Sequence, residues 1–205
     1  MKIQGKVGKQ SLTDGSEADI RLNKNGSTVT AQGQAQYQES VLGGNVFGGS
    51  VVGQVTSVGV ALTYTGLCLS NPNGSGVNIV INKVGFSFIV AFTAGAHIGL
   101  MAGYSTTDVT HTTAVTPRSK LFNNSTTAKG KLDNEATLPV TPTVNQILGS
   151  GLTGAITTVP HISNGCIDLD GSIILPPGGF CAIYTSTASG AASGAFSFTW
   201  DEVPQ

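Results

Sequence analysis

Gly149-Ser150-Gly151-Leu152-Thr153-Gly154 has the spacing G-x-G-x-x-G, in which glycines let a backbone cradle a dinucleotide pyrophosphate. That chemistry requires a strand before the run, a helix after it and a βαβ unit around it. None of these patterns flanks the run, which reads as a flexible loop. His97, His111 and His161 are too scattered for a zinc motif. Asp108 and His111 share a polar stretch, where ordinary loop residues are the expected reading rather than a metal or catalytic pair. Asp168-Leu169-Asp170-Gly171 has the carboxylate spacing of a minimal calcium turn but lacks the remaining ligands of an EF-hand loop, so a hairpin turn is expected. No nucleophile elbow, P-loop or H-E-x-x-H occurs. A glycosidase pair would have to come from 11 acidic residues, four of which crowd into residues 14–39. The expectation is a non-enzymatic protein with no catalytic, cofactor-binding or metal residues and no cofactor.

Cys68, Cys166 and Cys181 offer neither a disulfide framework nor a zinc pattern, and all three read as buried small hydrophobes. The start MKIQGKVGKQ has no apolar h-region, which predicts no secretory signal and leaves the sequons at Asn25, Asn73, Asn123 and Asn124 without weight. The longest apolar stretch, residues 84–92, is interrupted by Gly85 and Ser87 and falls short of the ~18 residues that span a bilayer, so no membrane partner is expected.

What must position any such residues is constrained by composition. The 205 residues include 10 Lys and Arg against 11 Asp and Glu, a net charge of −1 at pH 7, which excludes a strongly basic nucleic-acid binder. Only 10% of residues are charged, where soluble monomers carry about a quarter. Gly contributes 28 residues, Ser and Thr together about a fifth, and mean hydropathy is +0.16. Disorder does not fit, because 40% of residues are hydrophobic and net charge is near zero. One reading of such a neutral, hydroxylated surface is that other chains cover much of it.

Residues 1–54 read as an extended Gly/Gln-rich attachment arm, since their large apolar residues are too scattered to build a core. Within the arm, Asn23-Lys24-Asn25-Gly26 signals a small hairpin, residues 31–40 read as extended, and residues 41–53 as a Gly-studded connector. From about residue 55 a period of two dominates. Val58, Val60, Leu62 and Tyr64 share one face, and a slip at Gly66 moves Leu67 and Leu69 inward, as a β-bulge would. Residues 71–76 form a turn. The apolar face switches once near Lys83, between Val77, Ile79, Ile81 and Val84, Phe86, Phe88, Val90, Phe92. Ala96, Ile98 and Leu100 supply the next strand, residues 105–124 a polar loop, and residues 136–159 an irregular stretch with room for one short helix over residues 143–148. Strands return at residues 166–169 and 172–175. Pro176-Pro177-Gly178-Gly179 then matches a type II turn, and Phe180, Ala182 and Tyr184 follow on one face. Phe196, Phe198 and Trp200 close the pattern. About eight strands with almost no helix predict an antiparallel β-sandwich of jelly-roll type over residues 55–205, with an immunoglobulin-like sandwich second.

The opening KIQGKVGKQSLTDGSEADIRLNKNG, the middle LCLSNPNGSGVNIVINKVGFSF and the ending GSIILPPGGFCAIYTS…GAFSFTWDEVP together resemble small virion structural proteins of tailed bacteriophages and phage-like particles. The likeness is one of layout across most of the chain and carries over no site residue. It implies a capsid decoration or head-spike-base subunit, a minor capsid protein on the capsid exterior, assembled in the host cytoplasm. Its partners would be copies of itself, as a trimer or pentamer, and the major capsid protein or other virion proteins. The alternative is a carbohydrate- or receptor-binding module of a spike or tail, using the loops at 105–124 and 136–159. Exposed aromatics would mark such a module, and the loops offer only Phe122.

Overall fold

A computed structural model describes residues 35–88, 92, 94–151, 164–187 and 194–205. The chain divides into two units, Met1–Glu39 and Ser40–Gln205. Most of the expected arm, including the hairpin at Asn23–Gly26, lies outside the described residues. Of residues 31–40, expected to be extended, 31–34 lie outside the described residues and 38–40 enter a single helical turn, α1 (Gln38–Leu42), with the acidic Glu39 in its first turn.

Among the described residues of Ser40–Gln205, the strands are β1 (Val46–Gln54), β2 (Thr63–Ser70), β3 (Val77–Phe88), β4 (Ala96–Tyr104), β5 (Thr110–His111), β6 (Ala114–Val115), β7 (Arg118–Ser119), β8 (Lys131–Thr137), β9 (Thr143–Gly151), β10 (Asn164–Leu175), β11 (Gly179–Thr185) and β12 (Gly194–Pro204). They form two antiparallel sheets, ordered β10-β3-β12-β1-β7 and β5-β8-β2-β11-β4-β9, with β6 also on β8. Setting aside β5–β8, eight long strands remain, and their outermost members pair first: β1 with β12, β2 with β11, β3 with β10, β4 with β9. A ribbon rolled up in this nested order is a jelly roll. The inserted strands lengthen both sheets, β8 beyond β2 and β7 beyond β1.

The sandwich begins earlier than expected. Residues 46–54, assigned above to the arm and its connector, form β1, with Val46 and Phe47 each 1% exposed. Its glycines mislead because they serve close packing: a Cβ on Gly49 would collide with Leu132 Cδ1, and one on Gly48 would lie 2.9 Å from the Phe198 carbonyl.

Side chains alternate across each strand, so each sheet presents two faces. Between the sheets lie Phe47, Leu67, Leu69, Ile79, Ile81, Val84, Phe86, Phe88, Ile98, Leu100, Cys181, Ile183, Phe196, Phe198 and Trp200. Each large side chain buried there stabilises the fold by about 1.5–3 kcal/mol. Phe88 packs edge-on against Phe196 with centroids 5.4 Å apart. The opposite face of the seven-stranded sheet carries a second cluster, Tyr64, Cys68, Met101, Val109, Ala136, Leu138, Phe180 and Ala182. There the Tyr64 hydroxyl donates to the Ile183 carbonyl at 2.7 Å.

Both expected slips are present as bulges. The β2–β8 register shifts between Thr65 and Cys68, around Gly66, and the β3–β12 register shifts at Asn82. The type II turn also forms: Gly179 N donates to Pro176 O at 2.8 Å, and Gly178 sits at φ 86°.

Four expectations change. Val58, Val60 and Leu62 precede β2 and are exposed, because the pairing that fixes the strand's alternation starts only at Thr63. Residues 143–148 are strand: two register shifts against β4 place extra residues near Asn145 and Leu148, and this turns a period of two into a helix-like spacing of Val144, Ile147 and Leu148. Residues 166–175 belong to one strand, β10, in which residues 169–172 bulge out between the pairs Asp168–Lys83 and Ile173–Ile81, with Asp170 and Gly171 at positive φ, rather than joining two strands as a hairpin turn. Cys166 is exposed on that strand, whereas Cys68 and Cys181 are buried with thiols pushed upward by burial, Cys181 to about 12.

A buried carboxylate ties β12 to the start of β8. Glu202, 7% exposed, accepts from Lys129 N at 2.9 Å, Gly130 N at 2.8 Å and the Trp200 indole at 3.2 Å. Glu202→Gln turns one acceptor into a donor facing these N–H groups. Urea unfolding should register a loss of about 2 kcal/mol.

Candidate functional site

The sequence-derived candidates do not converge. His97 is exposed on β4, and His161 lies outside the described residues. Gly149, Ser150 and Gly151 end β9, and the rest of the G-x-G-x-x-G run is outside the described residues. Asp168 pairs with Lys83 at 2.7 Å across the β10–β3 ladder. That contact raises the ammonium's pKa, and both groups are solvated at the surface. Asp108 bonds not to His111 but to Asn73, accepting from its backbone N at 2.7 Å and its Nδ2 at 2.8 Å, which latches two loops together. Among the described residues no three His, Cys, Asp or Glu side chains gather in a metal-binding arrangement.

The structure instead assembles a polar cluster on the outer face of the seven-stranded sheet. Ser70 ends β2, His111 ends β5 and Asp133 lies in β8. Ser70 Oγ and His111 Nε2 are 3.1 Å apart, and His111 Nδ1 faces Asp133 Oδ2 at 3.4 Å. Asp133 is wholly buried, and its Oδ1 accepts from Thr113 N at 3.2 Å and Glu135 N at 2.6 Å, which fixes the carboxylate. Burial holds the His111 pKa below its usual value and Lys131 adds to that, while Asp133 and, less strongly, Asp108 pull it back up.

Hydroxyl, imidazole and carboxylate stand in the order of a nucleophile, its base and the group that orients the base. Access is what the cluster lacks. Ser70 is 3% exposed and opens onto a cavity of about 20 Å³, also lined by Asn71, Pro72, Asp108, Val109, Gly178 and Gly179, which has room for a single water. The backbone N–H groups of Asn71, Gly178 and Gly179 there donate to Gly179 O, Asn71 O and Pro176 O, so none is left to stabilise an oxyanion. The Ser70–His111 hydrogen bond adds to the backbone pairing that fastens β5 to β8, while His111 Nδ1 and Asp133 Oδ2 face each other without a hydrogen bond. Sequence reading found His111 but not its partners, since the insertion that brings Ser70, His111 and Asp133 together has no local signature.

Two outcomes follow. A fluorophosphonate probe should leave Ser70 unlabelled in the folded protein, as read by peptide mass spectrometry. Because the folded state holds His111 neutral, it binds fewer protons than the unfolded chain once pH falls below 6.5, so stability is full above that value and lost as pH falls through the window beneath it. Denaturation between about pH 7 and about pH 5 should show this slope, and His111→Gln should flatten it.

No protein-family model, curated protein or solved structure matches the chain.

Proposed function

We propose that this protein is a structural subunit of a virion, a capsid decoration or head-spike-base protein that attaches through its N-terminal arm and assembles with copies of itself. The observation that carries the reading is the exposure of Val58, Val60 and Leu62, at 56%, 39% and 46%, along one short connection between β1 and β2. Scattered apolar residues on a surface need no explanation, but three alternate ones on a chain with only 10% charged residues favour a covering partner. The jelly roll is compatible with the same reading, because a compact sandwich can pack beside copies of itself about a three-fold or five-fold axis.

Phe122, 93% exposed in the 120s loop, favours a second reading as a carbohydrate- or receptor-binding module, since sugars stack on aromatic faces. A glycan array comparing the wild type with Phe122→Ala separates the two readings.

Light scattering across a dilution series should report a closed oligomer. Replacing Val58, Val60 and Leu62 together by Ser should raise its dissociation midpoint at least about tenfold. A deletion testing attachment must stop at residue 39, since β1 belongs to the sandwich; it should keep the β-sheet circular dichroism signal and abolish binding to particles. A stable monomer at micromolar concentration, or full capsid occupancy without residues 1–39, refutes the proposal.

A further inference from the structure

Beside His111 the surface opens into a depression of about 350 Å³, within the size range of small-ligand sites. Its walls are Ala114 and Val115 of β6, Thr116 and Pro117 after it, and Lys131 and Leu132 at the start of β8, with His111 at one end. The lining is mostly apolar and holds no carboxylate. Asp133, which faces His111, is wholly buried, does not line the depression and has one oxygen fixed by backbone N–H groups. Lys131 is exposed and has no ion-pair or hydrogen-bond partner among the described residues.

The floor is firm. Leu132, 1% exposed, is seated over Gly49, where no Cβ would fit, and Val115 Cγ1 and the Thr116 carbonyl lie within 4 Å of the same point. Since Leu132 pairs with both Val115 and Leu69, two ladders hold this wall in place. A preformed apolar hollow with one unpaired cation at its edge selects ligands by sign as well as size.

We infer that this depression binds a small organic monocarboxylate, its short apolar body against Ala114, Val115 and Pro117 and its carboxylate at the Lys131 ammonium. The inference is independent of the assembly reading, and the site takes no part in chemistry at Ser70.

Hexanoate, hexanol and hexylammonium, of equal chain length, test it by titration into the full-length protein with NMR detection of the His111 ring and the Val115 methyl groups. Hexanoate should shift both saturably. Hexanol and hexylammonium should bind at least about tenfold more weakly. Lys131→Gln, a surface change, should cost hexanoate a similar factor, and Ala114→Phe, which fills the hollow, should abolish its binding. Absence of a saturable shift with hexanoate overturns the site. Equal binding of hexanoate and hexanol, or an unchanged affinity in Lys131→Gln, overturns the anion assignment.

Discussion

The burial of Phe196, Phe198 and Trp200 on β12 is the interaction on which the rest of the sandwich depends. β12 lies at the centre of its sheet, between β1 and β3, and both ladders of that sheet's middle run through it. Trp200 is fully buried with its ring 6.3 Å from that of Phe47, so the last strand and the first meet in the core. Nothing formed earlier in the chain completes that layer. Glu202, two residues on, extends the dependence to the inserted strands by holding the turn that leads into β8. Strand pairs drawn from distant parts of a sequence fold slowly, because loop closure precedes the contacts that reward it.

The jelly roll was legible where strands alternate cleanly. Val84, Phe86 and Phe88, and Phe196, Phe198 and Trp200, show their period of two in plain letters and sit where that period places them. The bulges at Gly66 and Asn82 were readable because each interrupts an otherwise regular pattern once. β9 was hidden because two irregularities within a few residues counterfeit a helical spacing. β1 was hidden because its glycines answer to neighbours, Leu132 and the Phe198 carbonyl, that are distant in sequence. β8, with Leu132, Asp133 and Ala136 buried at uneven spacing, has no period to read.

The polar cluster shows the same limit in chemical form. His111 could be named, but what makes it notable is Ser70 on one side and Asp133 on the other, and only the insertion between β4 and β9 makes them neighbours. That insertion does two things at once. It lengthens each sheet by a short edge, and it shapes the apolar hollow whose floor is shared with the core.

The nested pairing of β1 with β12 sets Val46 opposite Asp201, and Glu202 N donates to Asn45 O at 3.0 Å, so the chain enters and leaves the sandwich side by side. Tension applied between those two points would load the ladder one rung at a time, as in opening a zipper, instead of shearing all its rungs together. The ladder is therefore weakest to a pull that peels β1 from β12 across the strands at this end, and stronger to one that slides the two past each other along their length.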